Sequence, residues 1–271
     1  MRGLMVLLVG TLVLSACQRV PVTNRRQFNL IPDGIMRGVG KSSYTSMLSE
    51  TKVKRKGTET AILNRVGRRI SKVADQPKYD WTFSLINEDV VNAWALPGGY
   101  IAFYQGILPV LQNEAGMAFV MGHEVAHATA RHGSERLSQQ AAMVGGLAGL
   151  EIYMANATKI KPQQRVVILG ALGVASQVGV ILPFSRKHES EADIIGMMYM
   201  AEAGYPPQES PKVWDRMAAG GGGSDVPVFL STHPSHNQRK KTLTKWMPMA
   251  KKKYARHKAA PGDTLATIFT K

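Results

Sequence analysis

The 271-residue sequence predicts an α+β domain that is mainly helical. Two patterns carry this expectation. Three short strand-like runs lie close together between residues 81 and 104, and from Asn113 onward apolar residues recur at helical spacing. The composition is that of a globular chain with a core, 44% apolar and 20% charged. No internal repeat is visible, and the length suits one mid-sized domain.

The elements follow in order. Arg2 gives a positive start, Leu4 to Leu14 is an apolar run, and Leu14-Ser15-Ala16-Cys17 closes it. Small residues before a cysteine at the end of such a run resemble a bacterial lipobox. That resemblance implies that residues 1–16 are a lipoprotein signal peptide and that Cys17 is lipidated. An ordinary secretory signal cut nearby would leave the thiol free. Cys17 is the single cysteine, so no internal disulfide can form. Gln18 follows it, and the absence of Asp there resembles lipoproteins sorted to the outer membrane of Gram-negative bacteria, facing the periplasm. Residues 17–40, with Pro21, Arg25, Arg26, Pro32 and Asp33, read as a lipid-anchored tether that then packs onto the domain. The domain itself is expected over residues 41–258, followed by a tail at 259–271. In that tail Pro261 to Leu265 resembles the opening of a LysM repeat, but six residues remain after Leu265, too few to complete one.

Within the domain, Thr58 is a candidate N-cap for a helix to about Asp75, with Ile62, Val66, Ile70 and Val73 on one face and Pro77 beyond. Strands are expected at Trp81–Ile86, Val90–Leu96 and Tyr100–Tyr104, with Pro97-Gly98-Gly99 as a turn. A helix then runs from about Asn113 to Arg131. Apolar, Gly-rich segments follow at about 141–157 and 164–184. Val166 to Phe184 holds no charge over 19 positions, which is long enough to span a bilayer. Gly170, Gly173, Gly179, Ser176, Gln177 and Pro183 weaken insertion, so buried or interface-lying helices are expected. A further helix from about His188 to Ala203 ends at Gly204 with Pro206 beyond, Gly220 to Gly223 reads as a loop, and a last helix begins near Ser235.

The formal charge of +15 suits an anionic partner. No zinc-finger spacing, RNP-type aromatic motif or basic heptad helix accompanies it, and the leader argues against a nucleic-acid role. The densest basic stretch, from Arg239 through Lys240, Lys241, Lys245, Lys251, Lys252, Lys253 and Arg256 to Lys258, reads as a solvated helix face, with a face that binds lipid headgroups as its alternative.

Chemistry concentrates in His123-Glu124-Val125-Ala126-His127. On a helix, residues four apart share a face, so both imidazoles reach one metal ion, and Glu124 lies beside a water on it. Zinc, one ion per chain, suits imidazole with carboxylate. The metzincin pattern, in which a glycine and then a third histidine follow the second histidine at fixed offsets, is absent: Ala130 and Gly133 stand at those positions. His132, five residues past His127, lies around the helix from the ligand face and reads as an ordinary histidine. A later helix offers Glu189 as third ligand and, one turn on, Asp193 to accept a hydrogen bond from a ligand histidine. Glu191 points to a different face and is not expected to be a ligand.

These motifs together resemble the zinc peptidase family M48, to which HtpX and the CAAX prenyl protease belong. The resemblance extends to Asn92-Ala93-Trp94-Ala95-Leu96-Pro97-Gly98-Gly99-Tyr100 and to Ser231-Thr232-His233-Pro234-Ser235 with Arg239. It covers about residues 25–245 and points to the soluble bacterial lipoprotein branch. It implies a gluzincin-type metallopeptidase domain with a small antiparallel sheet packed beside the HExxH helix. It implies a zinc-dependent endopeptidase in the bacterial cell envelope that acts on unfolded or misfolded envelope proteins, with Glu124 as general base. An extended substrate could pair beside the strand-turn carrying Asn92, Ala93, Pro97, Gly98 and Gly99. His233 is a candidate for stabilising the oxyanion or for gating the zinc; a plain turn residue before a helix is its alternative. A zinc-stabilised chaperone is the competing class of function, and it would have no use for Glu124. No feature of the sequence indicates an oligomeric state.

Overall fold

The computed structural model describes residues 17–74, 76–157, 160–176, 182–220, 228–233 and 237–257. The leader at 1–16, Asp75, residues 177–181 of the apolar run, residues 221–223 of the glycine run, Pro234, Ser235 and the tail from 258 onward lie outside the described residues.

Strands β1 (Cys17–Arg19) and β2 (Arg26–Phe28) pair antiparallel, with Cys17 opposite Phe28. Helix α1 (Asp33–Ser49) follows directly. The tether reading missed this helix because Gly34, Gly38 and Gly40 depress helix propensity. Gly40 is there for packing: a Cβ on it would meet the carbonyl oxygen of Pro97 at 1.9 Å. Helix α2 (Thr58–Ala74) forms as expected, and Leu63, Val66 and Ile70 on its inner face are fully buried. Each such side chain contributes about 1.5–3 kcal/mol on leaving water.

Strands β3 (Thr82–Ile86), β4 (Ala93–Leu96) and β5 (Tyr100–Tyr104) form one sheet in the order β3-β5-β4. The sheet is mixed rather than wholly antiparallel: β4 pairs antiparallel with β5, but β3 pairs parallel with it. The Pro97–Gly99 turn makes β4 and β5 a hairpin, and β5 then sits between β4 and β3. This leaves β4 as an outer strand.

After a short helical stretch at 105–111, helix α3 (Glu114–Thr129) begins where the Asn113 side chain accepts the amide of Gly116 at 2.9 Å. It is buried along nearly its whole length, between α2 and the sheet on one side and α6 (Leu182–Glu202) on the other. Helices α3 and α6 meet glycine to glycine. A Cβ on Gly122 would lie 2.6 Å from the Gly196 oxygen, and one on Gly196 would lie 2.6 Å from the His123 nitrogen. This close crossing sets the separation of the two helices that carry the chemistry.

Helices α4 (His132–Ala157) and α5 (Pro162–Ser176) pack on one another. Of the two placements expected for their apolar segments, buried or interface-lying, burial is not what the described residues show. Val144, Ile152, Tyr153, Val166 and Val167 are exposed, and Met154 is buried. Among the described residues, no helix is long and apolar enough to cross a membrane. Helices α7 (Glu209–Gly220), α8 (Val228–Thr232) and α9 (Asn237–His257) complete the body, with α9 lying along α6. Arg239 departs from the solvated basic face expected for this stretch: it is 1% exposed, while Lys240, Lys241 and Lys245 face solvent.

Candidate active site

His123, Glu124 and His127 project from α3, Glu189 and Asp193 from α6, and His233 follows α8. His123 Nε2 lies 3.1 Å from His127 Nε2 and 3.3 Å from Glu189 Oε2, and His127 Nε2 lies 3.5 Å from Glu189 Oε1. Metal–nitrogen bonds of about 2.05 Å at a tetrahedral angle separate ligand atoms by about 3.3 Å. The three donors therefore already stand at the corners of a site for one tetrahedral metal ion. His233 Nδ1 lies 3.2 Å from His123 Nε2 and 2.9 Å from Glu189 Oε2, which puts it near the fourth corner. These four residues form the one candidate metal cluster among the described residues.

Glu124 is 1% exposed, and its Oε1 has no hydrogen-bond partner among the described residues. His233 Nε2 lies 3.6 Å from that oxygen. A buried carboxylate oxygen without a hydrogen-bond partner, next to the candidate ligand cluster, fits a site that receives a water there.

The outer contacts hold the donors in place. His123 Nδ1 meets Asp193 Oδ1 at 3.0 Å. Asp193 in turn accepts Arg239 Nε at 2.6 Å and Arg239 Nη2 at 2.7 Å. Arg239 donates Nη1 to the His233 carbonyl at 3.2 Å, and its guanidinium lies 3.8 Å over the Trp214 ring. One buried arginine thus ties α9 to both the Asp193–His123 pair and the segment bearing His233. Sequence reading placed Arg239 in the family segment without giving it this task.

Electrostatics separate His123 from His127. Burial pushes His123 down, but its hydrogen bonds to Asp193 and Glu189 prevail and carry it up to about 9. Burial dominates at His127 and takes it down to about 3. Burial opposes ionisation of Glu189, yet the charge and hydrogen bonding of His127, His123 and His233 hold it well below the usual carboxylate range. Burial likewise opposes ionisation of Asp193, and Arg239 holds it low.

A cleft of about 470 Å³ runs past these groups, lined by Glu124, His127, Glu189 and His233 and by Trp94, Ala95, Leu96 and Pro97 of the outer strand and its turn. Of the residues expected to touch substrate, Pro97 lines the cleft. Ala93 is buried, the Asn92 carbonyl accepts the Tyr104 amide at 3.0 Å, and Gly98 and Gly99 form the turn with φ of 96° each. Trp94, Ala95 and Leu96, which were not among those residues, also line the cleft. Period-two alternation along β4 could not show this, because three consecutive residues span both faces of the strand, and it is the outer edge of β4 that borders the cleft. Cys17 lies on β1, well apart in sequence from these groups.

Two histidines from one helix and a glutamate from a second, beside a small sheet, make this a gluzincin-type metallopeptidase. The chain belongs to peptidase family M48, whose model matches residues 58–247. Its relatives include the mitochondrial metalloendopeptidase OMA1 of Schizosaccharomyces pombe, 32% identical over 90% of this chain and 70% of that protein. OMA1 of Saccharomyces cerevisiae is 31% identical over 87% of this chain and 70% of its own length. The beta-barrel assembly-enhancing protease of Escherichia coli is 30% identical over 66% of this chain and 37% of that longer protein. The protein is a metalloendopeptidase.

Proposed function

We propose that this protein is a zinc-dependent endopeptidase of the bacterial cell envelope, tethered by a lipid on Cys17, that degrades unfolded or misfolded envelope proteins. The observation that carries the catalytic part is the tetrahedral spacing of His123, His127 and Glu189 with the unpartnered Glu124 oxygen beside it. Imidazole with carboxylate is the donor set that suits zinc. Bound zinc supplies Lewis acidity, which acidifies water and polarises a peptide carbonyl. Glu124 takes a proton from water and passes it to the leaving amine. Asp193, held by Arg239, keeps His123 turned with Nε2 toward the other donors. An extended substrate adds as a strand along β4, whose outer edge borders the cleft, with the Pro97 turn at one end. His233 closes the fourth corner in the present conformation. Withdrawn toward the cleft, its ring donates to the developing oxyanion.

The envelope placement rests on the leader ending in Leu14-Ser15-Ala16-Cys17 and on relatives named for beta-barrel assembly. The mitochondrial relatives are named for a different compartment. The test is cleavage of unfolded casein by the mature chain and by Glu124→Gln, with zinc content measured on both. Zinc in both with cleavage reduced by about 10²–10⁴-fold in the variant fits general-base catalysis. Equal cleavage by the two would remove Glu124 from the chemistry.

A further inference from the structure

Behind His127 lies a buried polar chain that the sequence pattern does not suggest. His127 Nδ1 is 3.0 Å from His132 Nδ1, and His132 Nε2 is 3.1 Å from Glu191 Oε2. Glu191 accepts Arg25 Nε at 2.9 Å and also accepts the Thr23 hydroxyl. Beside it, His188 stacks on His132 with centroids 4.2 Å apart, and its Nε2 lies 3.0 Å from Glu135 Oε2. The same Arg25 holds Glu135 through two nitrogens at 2.9 and 2.7 Å. His132, His188, Glu135 and Glu191 are all buried.

The chain has a direction. His127 faces the other donors through Nε2, so a metal there leaves the ring proton on Nδ1. That Nδ1–H must donate, and the atom opposite is His132 Nδ1. His132 must then accept at Nδ1 and carry its own proton on Nε2, where the Glu191 carboxylate accepts it. One set of proton positions satisfies every contact. His123 reaches its carboxylate, Asp193, directly; His127 reaches Glu191 through a second ring.

The backbone explains why His132 is available. Arg131 has φ of 56°, which breaks α3 from α4 and swings His132 back over His127 instead of on around the helix. Glu191 lies two residues past Glu189 on α6, on the face that meets the segment after β1.

We propose that His132, Glu191 and Arg25 form a positioning relay that sets the orientation and basicity of His127, so that the N-terminal segment is part of the metal site. This rests on the reading of His127 as a ligand. It assigns His132 and Glu191 a role that their sequence positions alone did not suggest. Arg25 sits eight residues after Cys17, so the relay also joins the segment leaving the proposed anchor to the centre of the enzyme.

The test compares the mature full chain with His132→Phe, His132→Gln, Glu191→Gln and Arg25→Gln. Zinc affinity is measured by chelator competition, the visible spectrum is recorded after loading with Co²⁺, and Tm is followed on each. Loss of such an outer contact costs about 10–100-fold in metal affinity. His132→Phe keeps a ring for stacking but offers no nitrogen, so it loses that factor and shifts the cobalt spectrum. His132→Gln, which can accept from His127 and donate to Glu191, recovers part of both. Arg25→Gln, altered at a partly exposed residue, weakens zinc binding in the same direction and keeps the proposal testable if His132→Phe does not fold. Unchanged affinity and spectrum in His132→Phe or Arg25→Gln, with only Tm lowered, would overturn the relay. Two zinc ions per parent chain would overturn it as well, by making His132, His188, Glu135 and Glu191 ligands in their own right. A parent that binds no zinc would instead sink the reading of His127 as a ligand.

Discussion

Replacing Gly196 by alanine should damage the catalytic centre without touching any of its side chains. The added Cβ would sit 2.6 Å from the His123 nitrogen, 2.8 Å from the Gly122 carbonyl carbon and 3.0 Å from the His123 Cα. Ordinary contact is about 3.5 Å, so α3 and α6 must part by roughly 0.9 Å. All three contacts are backbone, and none can swing aside. The His123–Glu189 edge of the proposed metal site, 3.3 Å in the present structure, bridges these same helices and opens with them. Overpacking of this kind costs about 1–3 kcal/mol. At about 2–4 °C per kcal/mol for a domain of this size, Tm falls by about 2–12 °C. A misplacement near 1 Å at reacting groups costs about 10²-fold in rate. The assays are thermal unfolding of the metal-free chain, zinc content after dialysis, and casein cleavage. Gly145→Ala is the control: nothing lies within 4 Å of its Cβ. Removing a helix glycine there should raise stability by about 0.5–1 kcal/mol. If Gly196→Ala matched the parent in Tm, zinc content and rate, the glycine crossing would not be what sets the ligand spacing.

Other outcomes follow from the same contacts. Asp193→Asn removes the nearer of two carboxylates that face the buried Arg239, Glu189 being the other at 3.4 Å, and should destabilise the chain by about 1.5–3 kcal/mol, the cost of a lost hydrogen bond to a charged group, read by denaturant unfolding. Zinc uptake at pH 7.5 should release about one proton, because His123 with its pKa near 9 is protonated without metal and must bind as the neutral ring; calorimetry in buffers of different ionisation enthalpy counts it, and zero release would contradict the raised value. The metal-free chain should be most stable between those histidine transitions. His123 is raised from 6.5 to about 9, so its contribution is full below 6.5 and is lost as pH rises through 9. His127 and His132 are lowered to about 3 and about 4, so the unfolded chain binds more protons below 6.5 and stability falls as pH drops. A Tm that climbed steadily from pH 7 to 10 under chelation would oppose this assignment.

How much of this was legible beforehand depended on whether one helix carried the information. His123, Glu124 and His127 share a helix face by spacing alone, and Glu189 with Asp193 do so one element later. Helix α3 could be bounded to within two residues because apolar residues recur at helical spacing from Asn113 onward. His132 could not be placed, because its position depends on the left-handed conformation of Arg131, which no residue type there announces. Arg239 looked like one more cation in a lysine-rich run, and only the packing of α9 on α6 brings it to Asp193. The parallel pairing of β3 with β5 was hidden for a similar reason: turn signals fix the β4–β5 hairpin, whereas the neighbour of β3 is decided by tertiary packing, here against α2. Helix α1 was lost to its own glycines, one of which exists to let Pro97 approach.

The most direct test of the account is zinc stoichiometry across single replacements of the proposed donors. The mature chain, Glu124→Gln, His123→Ala, His127→Ala and Glu189→Ala would be dialysed against a weak chelator, checked for folding by circular dichroism, and assayed for metal. The account predicts one zinc per chain in the parent and in Glu124→Gln, and little or none in the other three. Full zinc in a folded Glu189→Ala or His127→Ala chain would contradict the central claim that these residues, with His123, hold the metal.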